Sequence, residues 1–330
     1  MNIKLILACG LIGITAITNT SQAETLKASH QFPGGKGDVR DEMIQMIAKE
    51  VSAADVDLII KVYPGSSLYK PKEQWGAMTK GRLDISLFPL AYASGRHPKF
   101  DATLMPGLIK NHDHAARLND SPFMQEIKRE IEKAGVVVLA DAWLAGGFAS
   151  AKNCIQEPED IKGQKTRAAG KGFERMLAGA GASIASMPSS EIYTAMQTGT
   201  IDAANTSSGS FVSYRLYEQV NCLTAPGDNA LWFMYEPVLM SKKSWNKLDK
   251  KQQAALSTAA DKAEQYFFNE AKGLDQKMVD TFTKAGVKVV TMSAEQASKW
   301  RKIANETSYK VFSEEVPGGR ELIDMALSVD

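Results

Sequence analysis

Arg167 ends a short strand-like run, Gln164–Ala168, whose neighbours are small, so its guanidinium would project into a cleft rather than a core. A planar fork of N–H donors takes a carboxylate two bonds at a time, which suits recognition of an organic acid. The competing reading is a surface arginine paired with Glu174 or Asp160. The remaining reactive side chains offer little for catalysis. The chain has four histidines, His30, His97, His112 and His114. The His112-Asp-His114 spacing suits two metal ligands on a strand, but its setting reads as a helix start, where alternate residues diverge. No Gly-x-Ser-x-Gly elbow and no His-Glu-x-x-His occurs, and neither Cys154 nor Cys222 has a base near it in sequence. Gly170-Lys-Gly172 before a helix either cradles an anion or simply starts that helix. The inventory is that of a binding protein and not an enzyme, with no cofactor and no metal.

The elements that would position Arg167 are set out by an internal repeat. Glu73-Gln-Trp75-Gly-Ala77-Met78-Thr-Lys-Gly81-Arg-Leu83-Asp84 and Glu191-Ile-Tyr193-Thr-Ala195-Met196-Gln-Thr-Gly199-Thr-Ile201-Asp202 carry the same residue classes at the same offsets. Each reads as a helix ended by a left-handed glycine, followed by a strand opened by an aliphatic-Asp pair. Two such units predict two similar α/β lobes with a ligand cleft at the C-terminal ends of their strands. Strands are predicted at Thr25–Ser29, Leu58–Tyr63, Val136–Ala142, Ala151–Ile155, Gln164–Ala168, Ser183–Met187, Val287–Met292 and in the pair Trp232–Tyr235 and Val238–Ser241. Helices are predicted at Asp38–Val51, Pro122–Ala134, Gly172–Ala178, almost unbroken from Ser244 to Lys284, and last at Ser293–Phe312. This alternation is that of a mostly parallel α/β fold. The second lobe begins near Gly146-Gly147. The lobes are assigned as 24–145 plus 232–272 and 146–231 plus 273–330, with the long helix reaching across both.

Compartment follows from the first residues. Lys4, the apolar run Leu5–Ile17 and Ser21-Gln-Ala23 form a secretory signal peptide over 1–23, cleaved after Ala23, and the run is too short for a membrane span. The mature chain keeps 38 basic against 38 acidic side chains, because Lys4 is the only charge removed. A balanced surface excludes nucleic acid as a partner, and nothing inserts directly into a membrane. Cys154 and Cys222 are the two mature cysteines, in the strand-like stretches Ala151–Ile155 and Gln219–Thr224, and export permits one disulfide between them.

Several ordered motifs together carry a resemblance. Pro158-Glu-Asp-Ile-Lys-Gly-Gln-Lys-Thr-Arg167, Met187-Pro-Ser-Ser-Glu191, the second repeat, Tyr63-Pro-Gly-Ser-Ser-Leu68, Gly81-Arg-Leu-Asp84 and Trp245-Asn-Lys-Leu248 look like the solute-binding proteins of tripartite ATP-independent periplasmic (TRAP) transporters, the DctP-like family. The similarity spans essentially the whole mature chain. It implies a two-lobed periplasmic-binding-protein fold with hinge strands, closing over a small organic acid for delivery to membrane permease subunits. An ABC-type binding protein is the rival, and it usually lacks a long helix across both lobes.

The resemblance places Arg167 at the position of the arginine that grips the ligand carboxylate. It puts Asn205 and Thr206 in the loop of polar ligand contacts, and Trp232, Phe233 and Tyr235 near the crossing back to the first lobe. Members that bind sialic acid carry a second arginine where this chain has Gly147, so that cation is missing and space is left. Phe148, Trp143, Trp232, Phe233 and Tyr92 are then expected as apolar walls around a monocarboxylate with an apolar or aromatic body. Lys70 is a candidate compensating charge that keeps C4-type dicarboxylates and keto or hydroxy acids in view, and His30, after the first strand, joins the candidate ligand contacts.

Overall fold

The computed structural model describes residues 23–35 and 37–329; the signal peptide lies outside them except for Ala23. Strands follow in chain order: β1 (Glu24–Ser29), β2 (Leu58–Tyr63), β3 (Ile85–Leu87), β4 (Val136–Ala140), β5 (Trp143–Ser150), β6 (Lys165–Ala168), β7 (Ser183–Ser186), β8 (Ala203–Ser207), β9 (Cys222–Ala225), β10 (Trp232–Tyr235), β11 (Val238–Ser241) and β12 (Lys288–Thr291). They form a five-stranded sheet ordered β2-β1-β3-β11-β4 and a seven-stranded sheet ordered β12-β9-β5-β8-β6-β7, with β10 also paired to β5. Pairs β1–β2, β1–β3, β6–β7, β6–β8 and β9–β12 are parallel, whereas β5 and β11 run antiparallel to their neighbours.

Each sheet buries both faces, and strand alternation divides the cores. Leu239 belongs to the core with Trp75, Phe123 and Ile127, while its neighbours Val238 and Met240 join Leu26, Ile44 and Ile47 on the opposite face. In the second lobe Phe148 and Ala203 face one core, and Ala149 and Ala204 the other.

The repeat has a shared physical role. Gly81 and Gly199 take φ of +72° and +68°, the left-handed values that end each helix. The amides of Leu83 and Ile201 then return to the carbonyls of Ala77 and Ala195. Asp84 accepts from the Lys27 amide of β1 at 2.8 Å, and Asp202 from the Lys165 amide of β6 at 2.9 Å. Each repeat aspartate therefore fastens its strand to the parallel neighbour at the matching place.

Among the described residues, two strand crossings, one long helix and the return of the C-terminal segment join the lobes. β4 passes through Asp141 and Ala142 into β5, and β10 returns through Glu236 and Pro237 into β11, with the Glu236 amide donating to the Ala142 carbonyl at 2.8 Å. The long helix is Lys250–Lys284, separate from a short turn at Lys242–Trp245 because Asp249 caps it, accepting from the amides of Lys251 and Gln252. Leu256, Ala260, Ala263, Phe267 and Leu274 on its buried stripe pack into the first lobe, and Met278 and Phe282 into the second.

Four expectations need correction. Gly146-Gly147 is not a boundary but the middle of β5: a Cβ on Gly146 would lie 1.9 Å from the Thr206 carbonyl oxygen, and one on Gly147 2.1 Å from that of Thr224. Both glycines serve close strand approach rather than a turn. Ala151–Ile155 is consequently a loop after β5, not a strand. The stretch from Ser293 does not end the fold, since a further helix, Gly319–Leu327, follows it. Its Leu322, Ile323 and Ala326 pack with Phe123 and Ile127, so this tail of the 273–330 segment belongs to the first lobe's core. Cys154, in the loop, and Cys222, opening β9, are joined in a disulfide with a Cα–Cα distance of 5.0 Å.

Candidate functional site

Arg167 projects from β6 and is 1 % exposed. Its Nε donates to the Met187 carbonyl at 2.9 Å, Nη1 to the Asn205 carbonyl at 2.6 Å and Nη2 to Tyr92 Oη at 3.2 Å. A guanidinium has five N–H groups, so one on each terminal nitrogen is left over after these three bonds. All three acceptors are neutral, and among the described residues no carboxylate forms an ion pair with Arg167. Burial lowers its pKa, offset only in part by Tyr92 and by the more distant Glu236. The competing pairing with Glu174 or Asp160 does not form; Glu174 pairs with Lys171.

Arg40, equally buried, shows what a satisfied arginine looks like in the same protein. Its Nε and Nη2 fork onto Asp38 at 2.8 and 2.7 Å, and Nη1 reaches Glu236 at 3.3 Å and the hydroxyls of Ser207 and Ser210 at 3.1 and 2.9 Å. The guanidinium carbon sits 3.7 Å above the Phe32 ring. Burial alone would lower its pKa, but Asp38 and Glu236 raise it above the ordinary arginine value. Burial, in turn, raises that of Glu236, with Arg40 opposing. Arg40 carries its own counter-charges and ties the first lobe to the second, whereas Arg167 carries none.

The lobes meet around Tyr92, which lies in a 3-10 turn, Leu90–Ala93, of the first lobe. Its phenol oxygen accepts from Arg167 and from the Ser189 amide at 3.0 Å, both in the second lobe, and lies 3.3 Å from the Gln31 side-chain amide of the first. Tyr214 closes the ring by donating its hydroxyl to the Gln31 carbonyl at 3.0 Å. Below this contact Asp101, buried beside Gly170 and Gly172, brings the first lobe against the start of the helix Lys171–Gly179. Burial raises the Asp101 pKa to about 7, opposed in part by the Arg175 charge and by the nearby Gly172 and Lys171 amides, and among the described residues neither carboxylate oxygen has a side-chain or main-chain partner at hydrogen-bond geometry.

The other sequence candidates divide. Asn205 is buried with both ends of its side-chain amide unpartnered, next to Arg167 through its carbonyl, and the buried Trp232 has an unpartnered indole Nε1. His30 is buried with Nε2 at 3.1 Å from Asp41 and Nδ1 unpartnered. Thr206, paired with Gly147, is the next residue on β8 and faces the opposite side from Asn205. The expected space at Gly147 is occupied by the Thr224 main chain. Most of the expected apolar wall is committed elsewhere. Phe148 stacks on Trp300 at 5.6 Å, Phe233 meets His112 edge-on, Tyr235 donates its hydroxyl to Asp141, and Trp143 donates to Asn119 at 2.8 Å. Lys70 is exposed at the start of the helix Pro71–Thr79 and has no bond to Arg167. His112 and His114 open a helix; His112 faces Asp275 at 3.3 Å and His114 Nδ1 accepts from the Lys110 amide.

Gln31, Arg40, Ser189 and Tyr214 were missed. Only Arg40 had a local signal, an arginine between Asp38 and Asp41 at a helix start; the rest become neighbours only when the lobes meet.

Comparison with known proteins fits this geometry. The family of bacterial extracellular solute-binding proteins, family 7 (DctP), matches residues 36–315. The chain belongs to that family. This family 7 protein is 41% identical over 310 residues to a solute-binding protein of Albidiferax ferrireducens, covering 93% of this chain and 92% of the relative. It is 25% identical to the C4-dicarboxylate-binding periplasmic protein DctP of Rhodobacter capsulatus, over 89% and 90% of the two chains. Among solved structures, a TRAP periplasmic solute-binding protein from Rhodoferax ferrireducens with bound malonate superposes with a TM-score of 0.89 at 40% identity, covering 92% of this chain and 98% of that one. One from Sulfurospirillum deleyianum with bound succinate gives 0.85 at 25% identity, covering 93% and 99%. The two-lobed fold and the resemblance to TRAP solute-binding proteins are thus both borne out. Among the described residues, no helix is long and apolar enough to cross a membrane.

Proposed function

We propose that the protein captures a small organic acid in the periplasm, holds its carboxylate on Arg167 and delivers it to the membrane permease subunits of a TRAP transporter. The observation that carries this reading is a fully buried guanidinium with neutral partners only and two N–H groups to spare. Burying a cation without a counter-charge is costly, and a bidentate carboxylate supplies that charge and both missing acceptors. Binding and closure are then coupled. Arg167 belongs to one lobe and its partner Tyr92 to the other, so an acid on Arg167 is enclosed as the lobes meet, where the low dielectric strengthens each charge-assisted bond. The ligand favours closure by its differential affinity for the closed form, and the permease would read that form.

The ligand body is better matched by a compact polar acid than by the apolar or aromatic monocarboxylate expected from sequence. Phe148, Phe233, Tyr235 and Trp143 are used up in packing, while Asn205 and Trp232 keep unpartnered polar atoms. The malonate, succinate and C4-dicarboxylate named for relatives point the same way. The test is a thermal-shift screen of refolded, ligand-stripped protein against organic acids, with Arg167→Ala beside it. A shift with one class of acid is expected, with affinity weakened at least ~30-fold in Arg167→Ala, the lower bound for truncating one partner of a buried charged pair. Shifts that survive the substitution, or none with any acid, would reject the clamp.

A further inference from the structure

Donor and acceptor accounting at Tyr92 assigns a second determinant of the ligand, one that rests on the carboxylate reading of Arg167. Three groups approach the phenol oxygen: Arg167 Nη2, the Ser189 amide and one end of the Gln31 side-chain amide. The first two can only donate, and together they fill the oxygen's acceptor capacity. The phenol proton then needs an acceptor of its own, and the Gln31 amide is the third group within reach. With Nε2 at that contact, the oxygen would face three donors while its proton found no acceptor. The carbonyl end of Gln31 therefore belongs there, accepting from Tyr92; the two ends of a side-chain amide are distinguished by their bonds and not by their shape. Its NH2 group then takes the opposite end, which is buried without a hydrogen-bond partner, on a side chain 2 % exposed.

We propose that Gln31 is a specificity-determining residue whose NH2 group donates to a second oxygen of the bound acid, so that the site selects acids carrying a keto or carboxylate oxygen besides the carboxylate on Arg167. Geometry supports the link, because Gln31 and Arg167 meet at one phenol oxygen, each within 3.3 Å of it. An unpaired buried N–H donor rejects a ligand that cannot satisfy it, which is how a polar site discriminates strongly against a hydrocarbon isostere. Asn205, whose side-chain amide is also unpartnered, carries a further N–H donor for such an oxygen. Tyr92 also makes the device sensitive to closure, since the orientation of Gln31 depends on Arg167 and Ser189 arriving from the second lobe.

The experiment uses the full mature chain, stripped by unfolding and refolding, and isothermal titration with propionate, pyruvate and malonate. The wild type is expected to bind pyruvate or malonate at least ~10-fold more tightly than propionate, as one hydrogen bond to a charged or polarised group implies. Gln31→Leu should shrink that preference below ~3-fold by weakening pyruvate and malonate more than propionate, and Gln31→Glu should penalise malonate most through like charge. Ligand-free melting of both variants within a few degrees of wild type shows that they fold. The inference is overturned if the wild type does not discriminate, if neither pyruvate nor malonate binds, or if Gln31→Leu weakens all three acids alike. Failure of the carboxylate reading looks different: acids bind, and Arg167→Ala does not affect them.

Discussion

Replacing Arg40 with methionine strands two buried carboxylates. Asp38 loses both arms of a bidentate pair at 2.8 and 2.7 Å, and Glu236 loses its cation at 3.3 Å, in a region where all three side chains are buried. Removing one partner from a buried pair costs about 3–5 kcal/mol, most of it the penalty for the unpaired charge left behind. At roughly 2–4 °C per kcal/mol for a chain of this order, the melting point of the ligand-free protein should fall by about 6–20 °C. The loss also has a pH signature. Burial already raises the Glu236 pKa and Arg40 holds it back, so without Arg40 it rises further. A raised carboxyl pKa means that the folded state binds the extra proton, and the variant therefore loses more stability as pH increases. The assay is urea unfolding of Arg40→Met at two pH values, with Arg40→Met/Glu236→Gln as the second arm. Neutralising one stranded carboxylate should restore at least about 1 kcal/mol, an interaction visible as non-additivity in the cycle. A single-variant loss below about 1 kcal/mol, or a double variant no more stable than the single, would refute the account of Arg40 as a cation compensated by Asp38 and Glu236.

Two further expectations follow from particular side chains. Burial raises the Asp101 pKa to about 7, so the folded protein binds a proton that the unfolded chain has released; stability from this group is present below about pH 4 and lost as pH rises to 7, by about 4 kcal/mol in all. Asp101→Asn should remove that downward slope, and identical pH profiles for wild type and variant would contradict it. Reducing the disulfide between Cys154 and Cys222, 68 residues apart, should cost about 2–4 kcal/mol in urea unfolding, with the double serine variant matching the reduced protein.

Several parts of the fold were legible in residue order because their causes are local. A helix ended by a left-handed glycine and a strand opened by an aspartate can be read wherever they recur, and Asp84 and Asp202 do the same work in both lobes. The stripe on the long helix was equally readable, since apolar residues three and four apart must share a face. Gly146-Gly147 misled for the converse reason: a glycine pair signals a turn unless another main chain occupies the place where a Cβ would stand, and here Thr206 and Thr224, far along the chain, occupy it. Cys154 lies in a loop because β5 runs through Gly146-Gly147 and ends at Ser150, before the stretch Ala151–Ile155 expected to be a strand.

At the site, sequence alone identified Arg167 as a carboxylate fork and left its pairing open, because nothing local distinguishes an exposed arginine from a buried one lacking a counter-ion. Tertiary structure made that distinction twice. It surrounded Arg40 with Asp38 and Glu236, and it surrounded Arg167 with neutral oxygens from three separate segments. It also sent the expected aromatic wall into the cores and brought Gln31, Tyr92 and Ser189 to one phenol oxygen. Propensity, period and capping act over a few residues, so the chain by itself determined its elements and their repeat; burial and hydrogen-bond satisfaction depend on segments that meet only on folding, so the charge balance and polarity of the cleft were decided there.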